Sequence, residues 1–317
     1  MLGAVIGDIA GSRFERQNHK SKDFSIFDES CRVTDDSILS AAVAEALLLE
    51  KACAEWSLKE IPKESPKERL GELALRSMQR LGRRYIDAGF SSQTRAWLME
   101  EHPKPYGSKN NGAAMRVGPC GYAAGSLDEA KDLARAVTEI SHNSPEGIRA
   151  AEDVASAIFL ARQGKSKREI REHTDYQLDF TIDEIRDSYP FDYSCEGSVP
   201  QAIEAFLEAE SFEDTIRTAI SLGGDSDTLA AISGSIAEAF YGIPEALILG
   251  ALPFLPEDLF SIILNFERQY PSRTKEGGTV FELMERAVRE KNRSYTRDSQ
   301  DLPEANRSCL CIYRGPG

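Results

Sequence analysis

The sequence is short of basic residues and lacks several signatures that would assign it to a class at once. Lysine and arginine number 38 against 52 aspartates and glutamates, a formal net charge of −14 over 317 residues. A general nucleic-acid binder needs a basic face to neutralise phosphates, so the acid excess argues against that class. No apolar run reaches the ~18 to 20 residues of a membrane span. The opening Met1-Leu2-Gly3-Ala4-Val5-Ile6-Gly7-Asp8 is apolar, but it has no basic leader and soon meets an acid, so it does not read as a signal peptide. The cysteines Cys31, Cys53, Cys120, Cys195, Cys309 and Cys311 form no CxxC pair, which predicts reduced thiols in a cytoplasmic protein.

Familiar cofactor motifs are missing too. There is no HExxH, and no GxGxxG follows a strand. An EF-hand starting at Asp225 fails because Leu229 and Ala230 stand where that loop needs an oxygen ligand and a glycine. Gly164-Lys165-Ser166 resembles the end of a phosphate-binding P-loop, but Phe159 occupies the place of its first glycine. Cys309-Leu310-Cys311 alone is a weak soft-metal signal.

Helical periodicity runs through nearly all the rest. Ile38, Leu39, Ala42, Val43, Ala46 and Leu49 recur at helical spacing, as do Ala130, Leu133, Ala134, Val137 and Ile140. Ser126 with Glu129, Ser166 with Glu169, and Thr181 with Glu184 have the spacing of capping boxes. Ser144-Pro145 reads as an N-cap with proline at the first helical position, and Gly164 as the stop of the same helix. Strand signals are scarce, and no repeat period is visible. These features predict an all-α fold, an irregular multi-helix bundle. Gly3, Gly7 and Gly11 sit four apart and predict a tight helix contact rather than a ligand loop. Residues 59–67, rich in Lys, Glu and Pro, read as a connection between helices. One domain is expected over 1–285, followed by a charged, poorly ordered tail over 286–317.

Two segments carry the chemistry. Thr34-Asp35-Asp36-Ser37 and Gly223-Gly224-Asp225-Ser226-Asp227-Thr228 each precede a helical run. Taken singly, each reads as an N-cap, where Asp, Ser and Thr are favoured and acids complement the helix dipole. A cap needs one acceptor, however, and each turn offers two carboxylates and a threonine hydroxyl. These are hard oxygen ligands that suit Mg²⁺ or Mn²⁺ better than zinc. If the fold brings the turns together, the carboxylates repel one another unless cations bind.

Five segments in order resemble the ADP-ribosylglycohydrolase family, named for dinitrogenase reductase-activating glycohydrolase. They are Gly7 to Glu15; Thr34-Asp35-Asp36; Tyr106-Gly107-Ser108 through Asn111-Gly112-Ala113-Ala114-Met115-Arg116; Ser141-His142; and Gly223 to Thr228. The resemblance spans roughly residues 1 to 265. It implies an all-helical fold of that type and two divalent cations, Mg²⁺ or Mn²⁺. Thr34, Asp35, Asp36, Asp225, Asp227 and Thr228 would be the metal ligands. Glu15 matches a glutamate near the metals, and Glu15 or Asp36 would serve as the catalytic carboxylate. Gly107 and Ser108 match a loop that contacts the pyrophosphate. Asn111, Gly112, Ala113 and Met115 would line the ribose and metal pocket, and His142 would stand near the ligand. Two positions depart from the pattern. Asn110 replaces a glycine, and Lys109 stands where some relatives carry a stacking aromatic.

The reaction implied is hydrolysis at C1″ of the distal ribose through an oxocarbenium-like transition state, releasing ADP-ribose from a protein or small-molecule acceptor. A paired metal site would fix the ribose hydroxyls and acidify a water. An N-glycosidic arginine or guanidine linkage is favoured over an O-glycosidic serine one. The alternatives are a non-catalytic ADP-ribose binder of the same fold, or a two-metal phosphohydrolase that would release AMP.

Overall fold

The computed structural model of the chain describes residues 1–56 and 65–300. Among them the chain forms α-helices and no strand, apart from three isolated bridges. In chain order the helices are α1 (Leu2–Gly11), α2 (Asp35–Trp56), α3 (Pro66–Arg84), α4 (Ser92–Met99), α5 (Gly118–Ala123), α6 (Leu127–Glu139), α7 (Pro145–Arg162) and α8 (Lys167–His173). They continue as α9 (Ile182–Ile185), α10 (Cys195–Glu208), α11 (Phe212–Ile220), α12 (Ser226–Tyr241), α13 (Glu245–Ala251), α14 (Glu257–Gln269) and α15 (Val280–Gln300). No described helix is long and apolar enough to cross a membrane.

The middle of the bundle is α12. Its residues from Ser226 to Ala239 are all buried, and it touches α1, α2, α5, α7, α10 and α11. Helix α1 is buried on every side as well. A helix apolar all round belongs in a core rather than at a surface. The outer helices α3 and α6 instead bury one face, with Leu70, Ala74, Met78 and Leu81 inward on α3, and Ala130, Ala134 and Val137 inward on α6.

The spaced glycines make the contact that their spacing predicts. Helices α1 and α12 run antiparallel, with Gly3 against Gly234, Gly7 against Ala230 and Gly11 against Asp227. A Cβ at these three positions would come within 2.4, 2.1 and 2.5 Å of the facing backbone. The start of α1 is fixed by Glu238 of α12, which accepts from the Gly3 N–H at 2.8 Å and from the Met1 amino group at 2.8 Å.

Local signals mostly place the helix starts correctly. Ser144 accepts from the Gly147 N–H with Pro145 behind it, and Gly164 follows α7 at φ +76°. The boxes at Ser166–Glu169 and Thr181–Glu184 are reciprocal. At α6 the box is only half formed. Ser126 accepts from the Glu129 N–H, but Glu129 reaches one residue further back, to the Gly125 N–H at 2.7 Å. A further box, Ser65–Glu68, opens α3 at the end of the stretch 59–67 read as a connection, of which residues 59–64 lie outside the described chain.

The charged C-terminal stretch departs from expectation. Helix α15 carries on to Gln300, although the composition suggested an irregular tail from Arg286. Glu, Arg and Lys are good helix formers, and Arg289 pairs with Glu285 one turn earlier at 2.7 Å. The Cys309–Cys311 pair lies outside the described residues.

The glycine contact yields a prediction. Gly7→Ala, which forces a methyl group onto the Ala230 carbonyl, should destabilise the protein by about 2 kcal/mol or more in urea unfolding. Gly71→Ala in α3 meets only ordinary contacts at 3.4 Å and beyond, so it should be neutral or stabilise by up to ~1 kcal/mol.

Candidate active site

The two acidic turns meet where α1 lies between the starts of α2 and α12. Asp8, Asp36 and Asp227 each place a carboxylate oxygen within 4.8 Å of the others. The turns are not ordinary caps. The start of α2 is capped from another helix: Asp8 Oδ2 accepts from the backbone N–H of Thr34 at 3.0 Å and of Ser37 at 3.1 Å. The hydroxyl of Thr34 donates to Asp8 Oδ1 at 2.5 Å, and that of Ser37 donates to Oδ2. The Asp35 N–H goes to the Ala88 carbonyl at 2.9 Å. With its backbone donors met from outside, α2 leaves the carboxylates of Asp35 and Asp36 free of capping duty.

The second turn is similar. Asp225 stands at the N-cap of α12 without a side-chain cap bond, and its Oδ2 accepts instead from Asn111 Nδ2 at 2.6 Å. Gly223 and Gly224 take φ of +68° and +63°, which lets the chain reverse ahead of Asp225. Thr228 Oγ1 donates across the gap to Asp36 Oδ2 at 3.2 Å.

Electrostatics set this cluster apart. Burial pushes Asp35 up to about 8, and the charges of Asp8, Asp225 and Glu15 add to the shift. Burial also holds Asp36 and Asp227 well above the ordinary carboxylate range, reinforced by the charges of their neighbours. Asp36 Oδ1 is buried with no hydrogen-bond partner. A buried, unpartnered carboxylate oxygen among like charges is costly, and a hard cation would relieve that cost. Asp8 differs from the others. Both of its oxygens are taken by donors from Thr34 and Ser37, so it seats α2 and has little capacity left to ligate.

The cluster forms the floor of a cavity of about 190 Å³. Of the residues singled out in the sequence, Glu15, Asp35, Asp36, Asn111, Gly112, Met115, His142, Asp225, Asp227 and Thr228 line it. Thr34 is buried behind them against Asp8 and Asp36. Gly107, Ser108 and Ala113 do not line the cavity. The Gly107 N–H is bonded to Asn143 Oδ1 at 2.9 Å, Ser108 Oγ accepts from the Asn110 N–H at 3.2 Å, and Ala113 is fully buried. Gly107 therefore has no free N–H to offer a phosphate.

Other lining residues carried no signal in the sequence. Gly89, Ser91 and Thr94 come from the connection between α3 and α4 and the start of α4. Phe191 and Tyr193 stand at the rim, 51% and 57% exposed, with ring centroids 6.2 Å apart. Large aromatics left that open beside a cavity are a clue that only the fold could reveal.

The crowded carboxylates predict opposite responses to pH and to cations. A carboxyl whose folded pKa stands above its unfolded value binds its proton more tightly when folded. That contribution is complete below about pH 4 and is lost as pH rises towards about 8, the shift of Asp35. The chelator-treated protein should therefore lose thermal stability across this range, and Mg²⁺ or Mn²⁺ should raise Tm more at pH 8 than at pH 6. Asp36→Asn should raise the chelated protein's stability at pH 8 by on the order of 1 kcal/mol. Asp8→Asn should lower it by about 2 to 3 kcal/mol, because an amide NH₂ would face the donors of Thr34 and Ser37. Urea melts of both variants check the two signs.

Comparison with known proteins agrees with this geometry. The family model for ADP-ribosylglycohydrolase matches residues 1–271. Human ADP-ribosylhydrolase ARH3 is 29% identical over 189 residues, covering 44% of this chain and 52% of that protein. ADP-ribosylarginine hydrolase Tri1 of Pseudomonas putida (strain GB-1) is 26% identical over 143 residues, covering 42% of this chain and 38% of Tri1. The chain thus spans about half the length of the human relative. A solved structure titled ADP-ribosylglycohydrolase-related protein complex superposes with a TM-score of 0.58 at 21% identity, over 85% of this chain and 95% of that one. That likeness establishes the all-helical fold. With the family model matched across the whole cavity and both acidic turns, the chain belongs to the ADP-ribosylglycohydrolase family.

Proposed function

We propose that the protein is a metal-dependent ADP-ribosyl hydrolase, releasing ADP-ribose from a modified acceptor by attack of water at C1″. The observation that carries this reading is the convergence on one cavity of two acidic turns whose own carboxylates do no capping, in a chain of this family. Thr34, Asp35, Asp36, Asp225, Asp227 and Thr228 would hold a pair of Mg²⁺ or Mn²⁺ ions. The donor set is all hard oxygen, and the orphaned Asp36 Oδ1 fits such a ligand. Bound there, the ions would supply Lewis acidity toward the ribose hydroxyls and a water.

The protein's own groups would do the rest. The Thr34 hydroxyl spends its hydrogen on Asp8, which leaves its lone pairs toward the site. Asn111 fixes Asp225 and is itself held at 3.0 Å from Ser198 Oγ. Glu15 lines the cavity and makes no hydrogen bond among the described residues, so it is the better placed of the two candidate bases. Asp36 Oδ2 already accepts from the Thr228 hydroxyl. As the water oxygen bonds to C1″, its proton passes to the carboxylate. The bond from C1″ to the acceptor breaks, and the acceptor leaves with a proton.

The cavity is small for a whole ADP-ribose, so the ligand would continue over the rim. Phe191 and Tyr193 offer faces there for a base, in place of the aromatic that Lys109 displaces. The acceptor is proposed to be arginine, joined by an N-glycosidic bond. The name of Tri1, an ADP-ribosylarginine hydrolase, supports that preference.

The test uses ADP-ribosyl-arginine and ADP-ribosyl-serine peptides, with Mg²⁺ or with chelator. Metal-dependent release of intact ADP-ribose from the arginine peptide is expected, with a loss of about a hundredfold or more in Asp227→Ala. Release of AMP would replace this reading with a phosphohydrolase. Binding of ADP-ribose without turnover of either peptide would replace it with a binder. Tyr193→Ala should raise KM by about tenfold with kcat little changed.

A further inference from the structure

One charged group near the cavity has no part in the chemistry above. Arg116 is 1% exposed, and none of the ion pairs among the described residues includes it. A buried guanidinium without an acid is costly and calls for an explanation. Burial lowers it only to about 10, so it remains charged at neutral pH.

Its hydrogen bonds show where the charge is directed. Nη2 donates to Ser141 Oγ at 2.8 Å and faces His142 Nδ1 at 3.3 Å, while Nη1 points to Met78 Sδ at 3.7 Å. Ser141 Oγ is in turn 2.8 Å from His142 Nδ1. An arginine can only donate. The Ser141 oxygen accepts from it and is free to turn its own hydrogen to the imidazole. Arg116 Nη2 beside Nδ1 is a donor in any case, which favours the tautomer with the ring proton on Nε2.

That nitrogen lies on the cavity side. No hydrogen bond among the described residues uses Nε2, and His142 lines the cavity. Gly112 stands beside it, where a Cβ would come within 3.1 Å of Nε2. The glycine therefore leaves the approach to Nε2 open.

The geometry points to Arg116 as a positioning residue that, through Ser141, locks His142 as a neutral Nε2–H donor aimed at an oxygen acceptor of the bound ligand. Burial, reinforced by the Arg116 charge, holds His142 well below the ordinary imidazole range. The Arg116 guanidinium stands on the Nδ1 side of the ring, the Tyr106 ring packs 5.5 Å away, and the cavity that His142 lines carries the carboxylates of Glu15, Asp35, Asp36, Asp225 and Asp227. The histidine would therefore neither cycle as a base nor carry charge. It would bind, polarised by the cation behind it. The identity of the ligand, ADP-ribose, rests on the proposed function, but the tautomer does not.

Nitrogen NMR of the ¹⁵N-histidine-labelled full chain decides the matter. The chain has four histidines, and His142→Gln identifies the signal. The expected spectrum has Nδ1 bare and Nε2 protonated, unchanged from pH 5.5 to 8. An Nδ1–H tautomer, or an imidazolium forming in that range, would overturn the proposal without any variant. Arg116→Lys keeps a cationic donor and should preserve the spectrum. Arg116→Met should let the ring exchange tautomers and titrate, and should weaken ADP-ribose binding by about tenfold. A folded Arg116→Met protein with an unchanged His142 spectrum would also overturn the proposal. If the wild type fails to bind ADP-ribose, the functional reading falls, while the spectrum still decides the role of Arg116.

Discussion

The closeness of α1 to α12 is the constraint on which the site depends. Three glycines on one side, with Ala230 and Gly234 among those facing them, bring two helix backbones nearly into contact. That approach puts Asp8 of α1 beside Asp227 of α12. Asp8 then gathers the first turn of α2, so the Thr34–Asp36 turn comes to rest against Asp225–Thr228. A wider helix spacing would separate the two turns, and neither turn alone has the ligands for a metal pair.

A chain of borrowed caps carries this order outward. Glu238 of α12 caps α1, and Asp8 of α1 caps α2. Each cap is a buried carboxylate whose hydrogen bonds are satisfied across a helix interface, which gives it a single geometry. The carboxylates left over at the turns have no such partners. They crowd together with raised proton affinity, an arrangement that costs stability.

The fold class was legible in the sequence because helical periodicity and local caps are short-range signals, as at Ser144, Ser166 and Thr181. The glycine spacing also revealed its contact. What stayed hidden was long-range. Asp8 lay inside a recognised motif, yet its capping of a helix 26 residues on could not be read from spacing. Nor could the rim aromatics Phe191 and Tyr193, which flank no motif and matter only for where the chain leaves them. At the Gly107–Ser108 loop, too, spacing gave no hint of the bond from the Gly107 N–H to Asn143 Oδ1. The C-terminal stretch looked irregular by composition, while its Glu and Arg residues suit an exposed helix.

The glycine-packed seam also bears on how such a protein can change over generations. Its backbones touch, so it has no room for drift: a larger side chain at Gly3, Gly7 or Gly11 would pry the two acidic turns apart. Two other lining residues, Ser91 and Thr94, come from a short helix and its N-cap. A lineage could find its freedom there, rewriting what enters the cavity while inheriting the acidic floor intact.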